Sequence, residues 1–526
     1  MDAINLLAAT ATIVSPTSAS DQFVGHLGNA CTSEELFDET LSSGMCVSVA
    51  NIEPSSSMTV LGILKGRALS STRSFQDIHL LDKKGAIYSS RPPNHIGAEL
   101  ITRDDVHLLL MPYGAVWRNQ RKVFQTILSI NAVSSVQSLQ EAEAAFTVQQ
   151  LSQTPHRYND HIRRYSTAVI LASVFGRRGE KYEDQHVQRL YHAQDQFTAI
   201  LETGATPPVD IFPVFKRLPS FFAPWRKWAL SIRSLQRSIY FELLEDVQNR
   251  MRSGILRGCF MEQLLDDEKR LQHGLDDEHL AYIGGVLMEG GSDTTASTLL
   301  SFLVAMVKYP DILHRAQEEV DKVCGPDRSP TFQDLDDLPY IKHCMSEILR
   351  WRPVAPGGIP HVLVQDDVHE GYHFTRGTIF LANAWAAHHD PRYYDRPEEF
   401  MPERFFDNDH GFKDKNLIYS GMRKTYAFGA GRRICPGQHL AENSLLINIA
   451  KLVWAFNITP GLHPQEGRVL NKEEIDDSME TQWTDGFLTA PKPFPVMLKV
   501  RSAQHQQTID NECDAAQINT FSKYKD

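Results

Sequence analysis

The sequence predicts a largely helical chain, on three observations. Residues 276–309 form the longest stretch with helical apolar spacing, and Asp276, Asp277 and Glu278 suit its start by charge. A second run follows Cys435, where Leu440, Leu445, Leu446, Ile449, Leu452, Val453 and Phe456 share helical spacing. Residues 125–200 and 311–324 add further helical patterns. The 526 residues can bury a large core, and 42% apolar with 22% charged content is ordinary for a globular protein. A net charge of −12, with no basic stripe among aromatics, argues against nucleic-acid binding. Seven cysteines without a Cys-x-x-Cys pair argue against a disulfide framework and a structural zinc site, and for a reducing, cytosol-facing environment. No stretch approaches the ~20 apolar residues of a membrane span.

From the amino terminus, residues 1–57 are rich in Ser, Thr and Ala and read as disordered. The folded domain is expected over 58–501, with a polar, disordered tail over 502–526. Residues 111–124 read as a turn and then a helix. Trp117 and Arg121 stand at i and i+4 there, either as a donor pair for a carboxylate or as a surface cation–π pair. Residues 206–228 are punctuated by prolines, which argues against a long helix. Phe221, Phe222, Trp225 and Trp228 beside Arg226 and Lys227 suit either peripheral contact with a membrane or an ordinary packed loop.

In the middle of the 276–309 pattern lies Gly290-Gly291-Ser292-Asp293-Thr294. Adjacent glycines cost about 1 kcal/mol each in a helix interior, and Asp and Thr compete for backbone bonds, so a local bulge is expected. Leu287, Gly290, Gly291, Thr294 and Thr298 share one face, which reads as a cleared patch for a flat ligand or as a kinked core helix. Glu347-x-x-Arg350 alone is an everyday surface pair. Residues 355–361 hold two prolines, two glycines and His361, which is either an exposed loop histidine or a ligand contact. Phe428 to Gly437 surrounds Cys435 with glycines and arginines just before a helix. This pattern suits a metal-binding thiolate favoured by the helix dipole, with Gly431 and Gly437 allowing close approach of a flat ligand. The bland alternative is a buried, inert cysteine. Residues 485–488 read as a hairpin turn.

Phe428, Gly431, Arg433, Cys435 and Gly437 match Phe-x-x-Gly-x-Arg-x-Cys-x-Gly, which resembles the haem-binding loop of the cytochrome P450 family. Trp117-x-x-x-Arg121, Gly290 to Thr294, Glu347-x-x-Arg350 and Pro402 to Phe405 stand in that family's order, and the resemblance covers roughly residues 74–500. It implies a mainly α single haem domain with a minor β component. It implies Cys435 as the axial thiolate of the haem iron. Trp117, Arg121, His361 and Arg433 would meet the haem carboxylates, with Phe428, Gly431 and Gly437 shaping the cofactor loop. Asp293 and Thr294 would relay protons, and Glu347, Arg350 and Arg404 would form a buried lock.

The implied activity is insertion of one oxygen atom from O2 into a hydrophobic small molecule. Electrons would come from NADPH through a cytochrome P450 reductase, because this chain has no Gly-x-Gly-x-x-Gly fingerprint of its own. Arg118, Lys122, Arg423, Lys424 and Arg432 are candidates for the docking face. Gly358 to His361 with Asp366 and Asp367 resembles filamentous-fungal members that tailor secondary metabolites. A haem-thiolate isomerase or dehydratase tends to lack the acid–alcohol pair, and a non-enzymatic haem sensor has no need of it. Two features depart from the family: no membrane-spanning anchor is visible, and Gly290 stands where alanine is commonest. The implied location is cytosol-facing and peripheral to the endoplasmic reticulum.

Overall fold

The computed structural model describes residues 58–525, apart from 65, 66, 73, 74, 104, 105, 203, 267, 269, 271, 272, 370 and 464. The expectation for residues 1–57 lies outside the described residues. The main helices are α1 (Phe75–Lys83), α2 (Ala115–Ile127), α3 (Gln137–Gln153), α4 (Tyr158–Phe175), α5 (Gln185–Leu201), α6 (Pro224–Arg252) and α7 (Asp277–Ser292). They continue with α8 (Thr294–Lys308), α9 (Pro310–Val323), α10 (Pro339–Trp351), α11 (Gln438–Ala455) and α12 (Ala503–Asn519). The strands are β1 (Met58–Leu64), β2 (Arg67–Thr72), β3 (His361–Val362), β4 (Asp367–His369), β5 (Tyr372–Phe374), β6 (Ile379–Ala382), β7 (Phe456–Pro460) and β8 (Val496–Val500).

Helix α8 is the core of the body. Every residue from Thr295 to Val307 is buried, as a helix apolar on all sides must be. Its Leu299, Leu303 and Val307 share one cluster with Ile348 of α10 and Ile449 and Val453 of α11. Helix α7 packs against α4 and α6 instead: Cβ atoms on Gly284 and Gly285 would stand 2.3 Å from Phe175 and 2.4 Å from Tyr240. These glycines let three helices approach closely.

The minor β component is a four-stranded sheet in the order β1-β2-β6-β3, plus the pairs β4-β5 and β7-β8. β2 runs parallel to β6, and β3 runs antiparallel to it with His361 opposite Phe380. The far side of β3 bonds to Ser90 through the Val362 N–H. That bond brings residues 88–91 against His361.

Three expectations are corrected. The pattern over 276–309 is two helices broken at Asp293. The Thr294 hydroxyl donates to the Gly290 carbonyl at 2.7 Å, a side-chain bond that competes with the helical ladder. The proline-rich stretch does not end in a loop. Pro224 occupies the first turn of α6, where the missing N–H costs nothing. The tail is not disordered. Residues 503–519 form α12, whose Ile509, Cys513 and Ala516 are buried at i, i+4 and i+7. That sparse apolar stripe is enough to seat the helix on α3, where the Cys513 thiol donates to Gln149. Residues 483–491 do form a turn, closed by the bridge between Trp483 and Pro491. Among the described residues, no single helix is long and apolar enough to cross a membrane.

Candidate active site

The loop before α11 is folded by backbone bonds. The Cys435 N–H donates to the Phe428 carbonyl at 2.8 Å, which closes the turn. Gly431 has φ +62°, and a Cβ there would stand 2.4 Å from the Leu81 carbonyl of α1. Its N–H donates to Asp82 Oδ1 at 2.8 Å, and Arg423 clamps the same carboxylate. Gly431 is therefore glycine so that the loop can close on α1, a different reason from approach of a flat ligand. Gly437 caps α11, and a Cβ on it would stand 3.9 Å from Cys435 Sγ. Burial pushes the Cys435 thiol up, while the Gly437 N–H and Arg121 pull it down less strongly. The helix start alone does not make a thiolate here, and a coordinated cation would supply the missing charge.

Next to this loop lies a cluster of cations. Arg433 donates from Nε to the Ser89 carbonyl (2.7 Å), from Nη1 to Leu108 (3.1 Å) and from Nη2 to Met111 (2.8 Å). Its guanidinium lies 4.3 Å from the Trp117 ring centroid. Arg91 donates to the carbonyls of Leu109, Ile359 and Pro360. Arg121 donates to Ile434 at 2.6 Å. His361 is buried on β3, not exposed on a loop, and its Nδ1 donates to the Tyr88 carbonyl at 2.7 Å. Among the described residues no carboxylate pairs with Arg91, Arg121 or Arg433.

The electrostatics record that imbalance. Burial and Arg433 push Arg91 well below its ordinary range. Burial and Arg121 bring Arg433 to about 9. Burial, Arg91 and Arg433 bring His361 to about 3. Trp117 Nε1 and Arg121 Nε are buried without a hydrogen-bond partner. Buried donors nearly always have partners. This donor set fits a ligand with carboxylates along one edge, set beside a cysteine that can hold a metal. Haem has that chemistry.

Sequence reasoning missed Arg91. Its partners lie 18, 268 and 269 residues away, so no local spacing could announce it.

On α7, Gly290 is exposed and has no atom within 4 Å of a would-be Cβ, whereas Gly291 faces Ile170 at 2.8 Å. The cleared patch is thus Gly290 with Thr294, and Gly291 serves packing against α4. Asp293 and Thr294 turn to different partners. Thr294 bonds to Gly290, and the Asp293 carboxylate, with its side chain 23% exposed, lies 3.4 Å from Arg163 Nη2. Burial pushes the Asp293 carboxyl up, and Arg163 pulls it back. Glu289, also missed in the sequence, is buried and accepts hydrogen bonds from Gln236 and Tyr240 of α6 and from His107.

Glu347, Arg350 and Arg404 do come together. Arg350 Nε and Nη2 reach Glu347 at 2.7 and 2.9 Å, and Arg404 Nε lies 3.0 Å from both its oxygens.

Two surface expectations change. Phe221 (78%) and Phe222 (60%) are exposed, but Trp225 is buried and Trp228 donates to Gln196. Composition could not reveal that Trp225, Ala229 and Ile232 form the inward stripe of α6. Of the five docking candidates, Arg423 pairs with Asp82, Lys424 with Asp409, and Arg432 with the Tyr113 hydroxyl.

The comparisons agree with this geometry. The cytochrome P450 family model matches residues 75–496. The cytochrome P450 monooxygenase atE of Aspergillus terreus is 38% identical over 452 residues, covering 85% of this chain and 81% of its own length. The cytochrome P450 monooxygenase acuD of Aspergillus aculeatus is 39% identical over 445 residues, covering 83% and 81%. A solved structure of a zebra fish cytochrome P450 with abiraterone shares the fold at a TM-score of 0.65, with 22% identity, over 89% of this chain and 100% of its own. A family match across the folded body, with relatives of this name over most of its length, means that this chain belongs to the cytochrome P450 family, as one of its monooxygenases.

Proposed function

We propose that this protein inserts one oxygen atom of O2 into a hydrophobic small molecule, using NADPH electrons delivered by a reductase, within fungal secondary metabolism. The observation that carries the reading is the group of Arg91, Arg121 and Arg433, two buried and one half-buried, with no acid beside them among the described residues, next to Cys435. Haem, when bound, supplies the oxygen-activating chemistry.

The chain's own residues do the rest. Cys435 is the metal ligand. Arg91, Arg121, Arg433, Trp117 and His361 hold the carboxylate edge. For His361 that means taking a proton on Nε2, because Nδ1 already donates to Tyr88. Gly290, with no atom within 4 Å of a would-be Cβ, would leave room for the substrate. The Thr294 hydroxyl, which donates to the Gly290 carbonyl, would accept a proton on a lone pair and release its own once the O–H turns away from that carbonyl. Asp293, partly exposed and paired with Arg163, exchanges protons with solvent and supplies them. The names of the Aspergillus relatives support a fungal oxidative role. Phe221 and Phe222, with Val214 and Leu230 also exposed, suit peripheral contact with the endoplasmic reticulum membrane. Arg118, Lys122 and Arg432 suit the reductase.

A carbon-monoxide difference spectrum of the reduced protein tests the reading. Wild type gives the thiolate band and Cys435→Ser abolishes it. A folded wild-type protein without that band would overturn it.

A further inference from the structure

The segment from His107 to Met111 lies between the arginine cluster and α7. Its backbone faces the cluster: the Leu108 and Met111 carbonyls accept from Arg433 at 3.1 and 2.8 Å, and the Leu109 carbonyl accepts from Arg91 at 3.0 Å. Its first side chain faces the other way, with His107 Nε2 2.9 Å from Glu289 Oε2 on α7. Glu289 Oε1 accepts from Gln236 Nε2 at 2.9 Å and from the Tyr240 hydroxyl, both on α6.

All four members of this network are buried, with His107, Gln236 and Tyr240 each 1% exposed and Glu289 8%. Burying a carboxylate is costly unless it is fully bonded, and three donors meet that need. Placing it there has one evident consequence. The carboxylate fixes a loop whose carbonyls aim two of the arginines.

We propose that His107 and Glu289 are positioning residues for the haem carboxylate site, acting through the carbonyls of residues 108–111 on Arg433 and Arg91. The proposal rests on the haem-thiolate reading above. It makes α7 and the arginine cluster one mechanical unit, so a shift of α7 is felt at the arginines.

The test uses the haem-loaded full chain and measures the rate of haem transfer to an excess of apomyoglobin. His107→Phe removes the hydrogen bond to Glu289 and is expected to speed transfer about tenfold. His107→Gln restores an N–H donor to Glu289 and returns the rate to within about twofold. Arg91→Gln alone also speeds transfer, and the double variant with His107→Phe falls short of the product of the two single effects, because the His107 change then still reaches Arg433 but no longer Arg91.

Rates that multiply in the double variant, or a His107→Gln rate equal to that of His107→Phe, overturn the proposal. So does unchanged transfer in His107→Phe. Each of these leaves the haem-thiolate reading intact when wild type shows the thiolate band. A wild type that lacks the band overturns both.

Discussion

Two of the protein's arginine clusters differ in one respect. Arg350 and Arg404 close on Glu347, which also accepts the Met401 N–H at 2.8 Å. Arg91, Arg121 and Arg433 close only on backbone carbonyls, with no acid among the described residues. The consequence is visible in the charges. Against burial, Glu347 holds Arg350 above its ordinary value, while burial leaves Arg404 below its own despite Glu347; in the other cluster burial and Arg121 bring Arg433 down to about 9. A guanidinium out of water needs a counter-charge. The first cluster contains its own and is architecture. The second has none among the described residues, which is what a binding site for an anionic edge requires.

The largest test of that difference breaks the closed cluster. Glu347→Leu leaves two guanidiniums buried without their acid and is expected to destabilise the haem-loaded protein by about 3–5 kcal/mol, read by urea unfolding. A loss below about 1 kcal/mol would mean that the clusters are alike and that the acid is not what closes the first.

A second test uses pH. Each cluster keeps a histidine neutral. Burial, Arg91 and Arg433 bring His361 to about 3, and burial with Arg350 brings His388 to about 3. Unfolded, each takes its proton near 6.5. The unfolded chain therefore binds more protons as pH falls below 6.5, and stability drops from there towards pH 3. By pH 5 one such histidine accounts for about 2 kcal/mol.

The clusters part when haem binds. Its carboxylates favour the protonated form of His361 but leave His388 as it was. His361→Gln should therefore recover about 2 kcal/mol at pH 5 in the haem-free protein and clearly less in the loaded one. Equal recovery in both states would remove His361 from the carboxylate site.

What the sequence made legible follows the range of the interaction. Trp117 with Arg121 is an i, i+4 pair, Glu347 with Arg350 an i, i+3 pair, and the cysteine loop spans ten residues, so spacing carries all three. Arg91 meets carbonyls up to 269 residues away, and Glu289 meets a histidine 182 residues away. No local pattern encodes those meetings. The helix over 276–309 was legible in part: the glycine pair marks the weak point, but only packing shows that Gly291 yields to Ile170 while Gly290 stays open. Trp225 and α12 were misread for the same reason. Composition says how polar a segment is, and the fold decides which of its few apolar residues point inward.

The smallest effect is the most discriminating, because it should change sign between two states of one protein. Trp117→Phe keeps an aromatic ring against Tyr113, now 5.2 Å away, and beneath Arg433. It removes the indole N–H, which is buried without a partner. An unsatisfied buried donor costs about 1–3 kcal/mol, so deleting it relieves the haem-free protein. Phenylalanine is a poorer cation–π face than tryptophan, by about 0.5–1 kcal/mol, which offsets part of the gain. The haem-free variant should then be as stable as wild type or about 1 kcal/mol more so. In the loaded protein the same N–H would have a carboxylate to meet, and its removal should cost about 1–2 kcal/mol. Calorimetric unfolding of both states reads the pair of signs. Loss of stability in both would make Trp117 a packing residue and return its N–H to the ordinary imperfections of a core. Gain in one and loss in the other is the behaviour of a donor held ready for a ligand, and a closed cluster such as Glu347 with its arginines cannot show it.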